Sequence, residues 1–396
     1  MMPMYLPFVL DDAAKTSDPS NERVYMGGVN VYLQQKMPFL GRLPRPITRC
    51  LDSPGLLRWI AARSKMTSPA GLGPMTLSMI RGETGRQAHE IDLLIDGLQA
   101  AGPAPEVIGI SNAMLIGLAR RLKAATGARI ACTLQGEAPF LDALPEPYRT
   151  EAWGELAERC ADVDGFAAVS GYYGDLMRER LGLPADKVHV VYNGIEIDSD
   201  ILPGPRVTDP PVIGYLARLC PDKGLRTLVD AFILLKAAGE LPELRLAVAG
   251  AMLPADRSFV NGLRRDLRRR GLDDMVRIHP NIPGTQKTGF LQSLTVLSVP
   301  ATYGESFGLY VLEALAHGVP VVQPRHGAFP ELIEATGGGV LCEADDPASL
   351  AEGLRQLIED PSRAGSLAER GRAKIAEAFT ADRMAERYET MVERLI

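Results

Sequence analysis

With 396 residues the chain is long enough for two or three domains around a substantial buried core, so a lone small module is excluded. Apolar residues make up 46% and charged residues 23%, near the average of soluble globular proteins, which excludes disorder and fibrous architectures. Acidic residues outnumber basic ones by 49 to 43, a formal charge of -6, so the chain as a whole has no attraction for a polyanion and is not a dedicated nucleic-acid binder.

The cysteines, Cys50, Cys132, Cys160, Cys220 and Cys342, are scattered and form no C-x-x-C pair, which points to neither a disulfide framework nor a zinc cage and fits a reducing compartment. The opening residues MMPMYLPFVLDD lack the basic start and long apolar stretch of a signal peptide, and no run of about 18 apolar residues occurs anywhere. The expected location is cytoplasmic, without a membrane span.

Residues 40–65 mix Leu56, Leu57, Trp59 and Ile60 with Arg42, Arg45, Arg49, Arg58 and Arg63. Two readings stand: a loop and packed helix after Pro54 with solvated arginines, or an amphipathic surface element touching an anionic membrane or an acceptor. From about residue 84 onward, β-branched runs alternate with segments of helical period, the signature of βα units stacked into parallel sheets. The fold class is therefore α/β. Strands are predicted at 107–110, 129–134, 165–169 and 189–191. Leu115, Leu118, Ala119 and Leu122 mark the core face of a helix that Ser111 or Asn112 caps, and another helix covers 172–181. The proline-rich stretch 203–211, PGPRVTDPP, reads as a stiff linker. It separates residues 1–202 from a second βα series over 212–378, with predicted strands at 212–215, 244–248, 276–278, 296–299 and 320–322. The last segment, 379–396, is expected to be a helix returning to the N-terminal domain. Two open sheets in tandem would present their strand C-terminal ends to an interdomain cleft.

The most informative stretch runs from Tyr303 to Val322, YGESFGLYVLEALAHGVPVV, where a strand and a breaker lead into a helix. Ser306 reads as its N-cap, so that the amides of Phe307, Gly308 and Leu309 become outward-facing donors suited to a phosphate. Glu305 and Glu313 lie two turns apart, too far to share a proton, so they need separate roles. Upstream, Arg218 and Lys223 flank the loop Leu219-Cys220-Pro221-Asp222 after a strand and would offer two cations to a diphosphate and to charge developing on a leaving group.

The Glu305-x7-Glu313 spacing with the Arg218 and Lys223 loop resembles glycosyltransferase family 4, retaining enzymes of the GT-B fold that use nucleotide-diphosphate sugars. Gly27-Gly28-Val29-Asn30 looks like the family's acceptor-side glycine loop, Val190 to Ile195 like its turn into the linker, and Gly327 to Glu331 like its segment after the sugar site. The resemblance implies two Rossmann-like doubly wound domains. It implies that Glu305 lies against the donor sugar, that Glu313 accepts from ribose hydroxyls, and that Arg218 and Lys223 hold the diphosphate together with the amides after Ser306. It also places Gly27, Gly28, Gln135 and Asn193 among the substrate-binding residues. Where the family often carries a histidine touching the donor sugar, this chain has Gln135, which still donates and accepts hydrogen bonds but relays no proton.

Two D-x-D sequences, Asp162-Val163-Asp164 and Asp198-Ser199-Asp200, read as solvated turns, and no metal site is predicted. His279 leads into a loop where a nucleotide base would rest, His317 ends the helix after Glu313, and the arginines from Arg264 to Arg270 decorate an exposed helix face. No dinucleotide fingerprint or P-loop occurs. The leading expectation is a retaining, metal-independent transfer of a sugar from a nucleotide-diphosphate sugar, UDP-linked by preference, to an acceptor hydroxyl, with no cofactor beyond that co-substrate. The alternatives are a nucleotide-sugar 2-epimerase and a non-catalytic sugar-nucleotide sensor. The acceptor is not legible in the sequence; a lipid acceptor would add peripheral membrane contact. The oligomeric state is likewise not legible.

Overall fold

The computed structural model describes residues 69–86, 88–197 and 208–396. Gly27, Gly28, the arginine-rich segment 40–65, the second D-x-D and most of the linker lie outside these residues. The chain divides into two compact units, one reaching to Ala168 and including Gly174–His189 and Glu389–Ile396, the other formed by Val169–Tyr173 and Val190–Tyr388.

In chain order the first series is α1 (Pro69–Arg81), α2 (Ala88–Ala100), β1 (Val107–Ile110), α3 (Ala119–Thr126), β2 (Arg129–Leu134), α4 (Ala138–Asp142), α5 (Tyr148–Arg159), β3 (Gly165–Ala168), α6 (Gly171–Leu181) and β4 (Val188–Val190). The strands form a sheet in the order β1-β2-β3-β4, with β1, β2 and β3 paired in parallel. All four residues of β3 are buried, as in a strand covered on both faces. The apolar set Leu115, Leu118, Ala119 and Leu122 is buried as its spacing predicts. It begins, however, as 3-10 turns over Ala113–Leu118, because Asn112 Oδ1 accepts from the Met114 amide at 2.8 Å and the Asn112 carbonyl from the Leu115 amide at 3.0 Å.

The first D-x-D is not a solvated turn. Asp162 accepts from Arg120 at 3.1 Å, and Asp164 receives Lys123 and the Ile130 amide, each at 2.8 Å, tying α3 and β2 to the start of β3. Burial works against the Asp164 carboxylate, but these donors outweigh it and hold its pKa below the ordinary aspartate value. The stability it contributes is therefore present above pH about 4 and lost as pH falls through the depressed pKa. Asp164→Asn should cost about 1–3 kcal/mol in urea unfolding at pH 7, and the gap from the parent should close in acid.

The second series is β5 (Val212–Leu216), α7 (Leu225–Ala238), β6 (Arg245–Gly250), α8 (Arg257–Arg269), β7 (Val276–Pro280), α9 (Lys287–Gln292), β8 (Val296–Leu297), α10 (Leu309–Ala316), β9 (Val321–Pro324), α11 (Phe329–Thr336), β10 (Gly339–Cys342), α12 (Pro347–Glu359), α13 (Pro361–Ala378) and α14 (Ala381–Glu393). The six strands pair in parallel in the order β10-β9-β8-β5-β6-β7. Leu225, Leu228, Val229, Phe232 and Leu235 recur at helical spacing on α7 and are all buried. Asp346 and Asp360 cap α12 and α13 through their side chains. Cys132, Cys160, Cys220 and Cys342 are buried free thiols, and burial pushes Cys160 and Cys342 up to about 12. No helix among the described residues is long and apolar enough to cross a membrane.

Candidate active site

The strand order of the second unit creates a topological switch point. From β5 the chain moves outward through β6 and β7, then returns as β8 on the other side of β5 and proceeds to β9 and β10. Open parallel sheets bind ligands beyond the strand C-terminal ends at such a point. The loops leaving β5 and β8 carry Arg218 and Lys223 on one side and Tyr303 to Leu309 on the other. Two segments singled out separately in the sequence thus become neighbours because of the crossover.

Lys223 and Glu305, 82 positions apart, form an ion pair. The Glu305 side chain is 9% exposed and that of Lys223 21%, so water screens the pair little. Tyr310 donates its hydroxyl to Glu305 Oε2 at 2.9 Å, and the Tyr303 hydroxyl reaches the same oxygen at 3.5 Å. The Lys223 ammonium also lies over the Tyr303 ring, 4.9 Å from its centroid. Burial alone would depress the Lys223 pKa, but the Glu305 carboxylate and Tyr303 outweigh it and leave it raised, so this lysine stays cationic. Burial, then the neighbouring carboxylate, raises the pKa of Tyr303 and lifts that of Tyr310 well above the ordinary phenol value. Both hydroxyls remain donors.

Ser306 is not the helix cap. The helix α10 begins at Leu309 with Gly308 before it in the left-handed region, φ 93°. A side chain at Gly308 would be strained there, and its Cβ would lie 3.2 Å from the Phe329 ring. The Ser306 carbonyl instead accepts from Ser170 Oγ at 2.7 Å, which keeps the residue in the connecting loop. The outward helix amides therefore start at Leu309, and Phe307 is a buried side chain packed on Tyr192, with centroids 6.2 Å apart. Glu313, further along α10, is paired with Lys287 at 2.8 Å. His317 ends the helix, its Nδ1 2.7 Å from the Glu313 carbonyl.

Arg218 is half-exposed and bound through Nε and Nη2 to the buried Asp256 carboxylate at 3.1 and 3.0 Å, while the buried Tyr215 hydroxyl donates to the Arg218 carbonyl at 2.8 Å. The hydrogen bond that Arg218 donates to Asp256 raises the guanidinium pKa further, so the charge is permanent. The structure thus unites Lys223 with Glu305 and holds Arg218 by a different carboxylate. His279 is exposed on the edge strand β7. Asn193 lies after β4, next to Gly194, whose amide approaches Met384 Sδ at 3.3 Å. Gln135 belongs to the first unit: it is exposed beyond the end of β2, and its backbone N–H donates to the Glu137 carboxylate.

Sequence reasoning missed Asp256, Lys287, Tyr303 and Tyr310 as site residues. It also gave Glu331 no role, although that carboxylate accepts from the Gly171 amide at 2.8 Å, the Tyr172 amide at 3.0 Å and the Tyr192 hydroxyl at 2.7 Å. For Tyr303 and Tyr310 a signal existed, since both flank Glu305 in the same segment. For Asp256 and Lys287 only folding supplies the partner.

Comparison with known families and structures matches residues 86–199 to the model described as Glycosyltransferase Family 4 and residues 199–374 to that of Glycosyl transferases group 1. The D-inositol 3-phosphate glycosyltransferase of Arthrobacter sp. (strain FB24) is 30% identical over 223 residues, covering 55% of this chain and 46% of the relative. The chain spans about half the length of the curated relatives it matches first. Among solved structures, Anabaena HepE in complex with UDP superposes with a TM-score of 0.66 at 18% identity, over 79% of this chain and 84% of that one. HepE in complex with UDP-glucose gives 0.62 at 19% identity, over 77% and 81%. The likeness to HepE extends to a GT-B architecture.

Proposed function

Given that this chain belongs to the glycosyltransferases of group 1 and family 4, we propose that it transfers a sugar from a nucleotide-diphosphate sugar, UDP-linked by preference, to an acceptor hydroxyl with retention at the anomeric carbon. The observation that carries this reading is the Lys223–Glu305 pair at the switch point, a cation and a carboxylate held side by side where a sugar diphosphate would lie. Without ligand each neutralises the other. On donor binding, Lys223 would turn part of its hydrogen bonding to the diphosphate while Glu305 accepts from a sugar hydroxyl. Arg218, its charge fixed by Asp256, would add a second cation. Glu313, held by Lys287, would accept from the ribose.

In this scheme the bond from the anomeric carbon to the diphosphate oxygen breaks and a bond to the acceptor oxygen forms on the same face. The departing diphosphate takes the acceptor's proton, so no side chain becomes a covalent nucleophile. The cations act by stabilising the leaving charge. The reading draws support from the UDP and UDP-glucose bound by HepE and from the sugar-transferring relatives.

Thermal-shift screening against UDP, GDP, ADP and TDP tests it. A nucleotide at 100 times its Kd adds about 2.7 kcal/mol to the native state, which raises Tm by several degrees. UDP is expected to give the largest rise, and the absence of a rise with any of the four nucleotides would overturn the proposal.

A further inference from the structure

We propose that Tyr310 is the positioning residue for Glu305, fixing one carboxylate oxygen so that the other is presented to the donor sugar; this rests on the donor-site reading above. The carboxylate is loaded on one side. Lys223, Tyr310 and Tyr303 all direct their donors at Oε2, and no group among the described residues donates to Oε1. A carboxylate has about four acceptor positions over two oxygens, so among the described residues this distribution leaves Oε1 open to a further donor, which we assign to the sugar.

Tyr310 is built for the task. It sits in the first turn of α10, where a helical side chain leans back toward the N-terminus, which lets its hydroxyl reach a residue five positions earlier. Tyr310 is 8% exposed and its ring packs on Phe329, with centroids 6.4 Å apart, so the hydroxyl cannot swing away. The backbone of Glu305 is fixed as well, its carbonyl accepting from the Ala328 amide at 2.9 Å. A glutamate fixed at its backbone and at one carboxylate oxygen holds the other oxygen in a single orientation, and catalysis is sensitive to displacements of an ångström. Tyr303, at 3.5 Å, is the weaker of the two phenols.

Tyr310→Phe removes only the hydroxyl and keeps the ring packing. The experiment measures UDP affinity by calorimetry and the release of UDP from UDP-glucose without added acceptor, for the parent chain, Tyr310→Phe and Tyr303→Phe. For Tyr310→Phe the expected result is a UDP Kd within about twofold of the parent and a kcat lowered about tenfold, the loss typical of one hydrogen bond to a charged group. Tyr303→Phe should lose less than about threefold. Parental kcat in Tyr310→Phe, or a fall in kcat matched by an equal loss of UDP affinity, overturns the inference alone. A parent chain that does not bind UDP overturns the donor-site reading, and this inference with it.

Discussion

Methionine in place of Lys223 is expected to lower turnover of UDP-glucose by about 10²-fold or more, while costing about 2–4 kcal/mol of stability. The two losses have different origins. On the proposed donor-site reading, turnover would fall because a fixed cation would no longer face the departing diphosphate. Stability falls because the buried Glu305 carboxylate keeps only its phenol donors, and an uncompensated buried charge is expensive. The double variant Lys223→Met with Glu305→Gln separates them: chemical denaturation should show most of the stability restored, whereas turnover should stay at the level of the single variant or below. Recovery of turnover in the double variant would remove the lysine from the chemistry. The pair also sets an alkaline limit. The Lys223 pKa is raised in the folded state, so its stabilising contribution is complete below the ordinary lysine value of about 10.4 and disappears as pH rises through the folded pKa.

Alanine at Gly224 should be the most damaging single-methyl change in the second unit, at about 3 kcal/mol or more, with loss of UDP binding. Gly224 has φ 71°, where a side chain costs about 1–2 kcal/mol by itself. A Cβ there would also lie 1.7 Å from the Pro300 carbonyl oxygen, which is backbone and cannot rotate aside. Gly224 follows Lys223 and Pro300 precedes the Tyr303 loop, so this close approach lets the loops leaving β5 and β8 meet, where the Thr302 amide also donates to the Asp222 carbonyl at 2.9 Å. By contrast Gly239, with φ 77° and nothing within 4 Å of a built Cβ, should lose only the conformational part on the same change. Equal melting temperatures for the two variants would show that the approach of the backbones is not the cause.

Much of the architecture was legible because local patterns report burial directly. The strands from β1 to β7 fall within a few residues of their apolar runs, and α7 shows its buried stripe letter by letter. The start of α10 was misread for a specific reason: serine is a good cap in isolation, but Gly308 two positions later permits a left-handed turn that delays the helix, and Ser306 is claimed by Ser170. Asp162-Val163-Asp164 was misread for a similar one, since its acids meet basic groups brought from α3 and β2 only by folding.

The chain's own order of residues determined the α/β class, the series of βα units and which side chains could carry charge at strand ends, because helix and strand periods and turn residues act over a few positions. Tertiary structure alone decided the pairing: Lys223 with Glu305, Arg218 with Asp256, Lys287 with Glu313. Those partners lie tens of positions apart, and a carboxylate's choice among cations depends on the strand order that sets which loops meet. The pairing then fixes the consequence: the Glu305 carboxylate keeps Lys223 charged against its burial, while burial and that same carboxylate keep Tyr310 protonated.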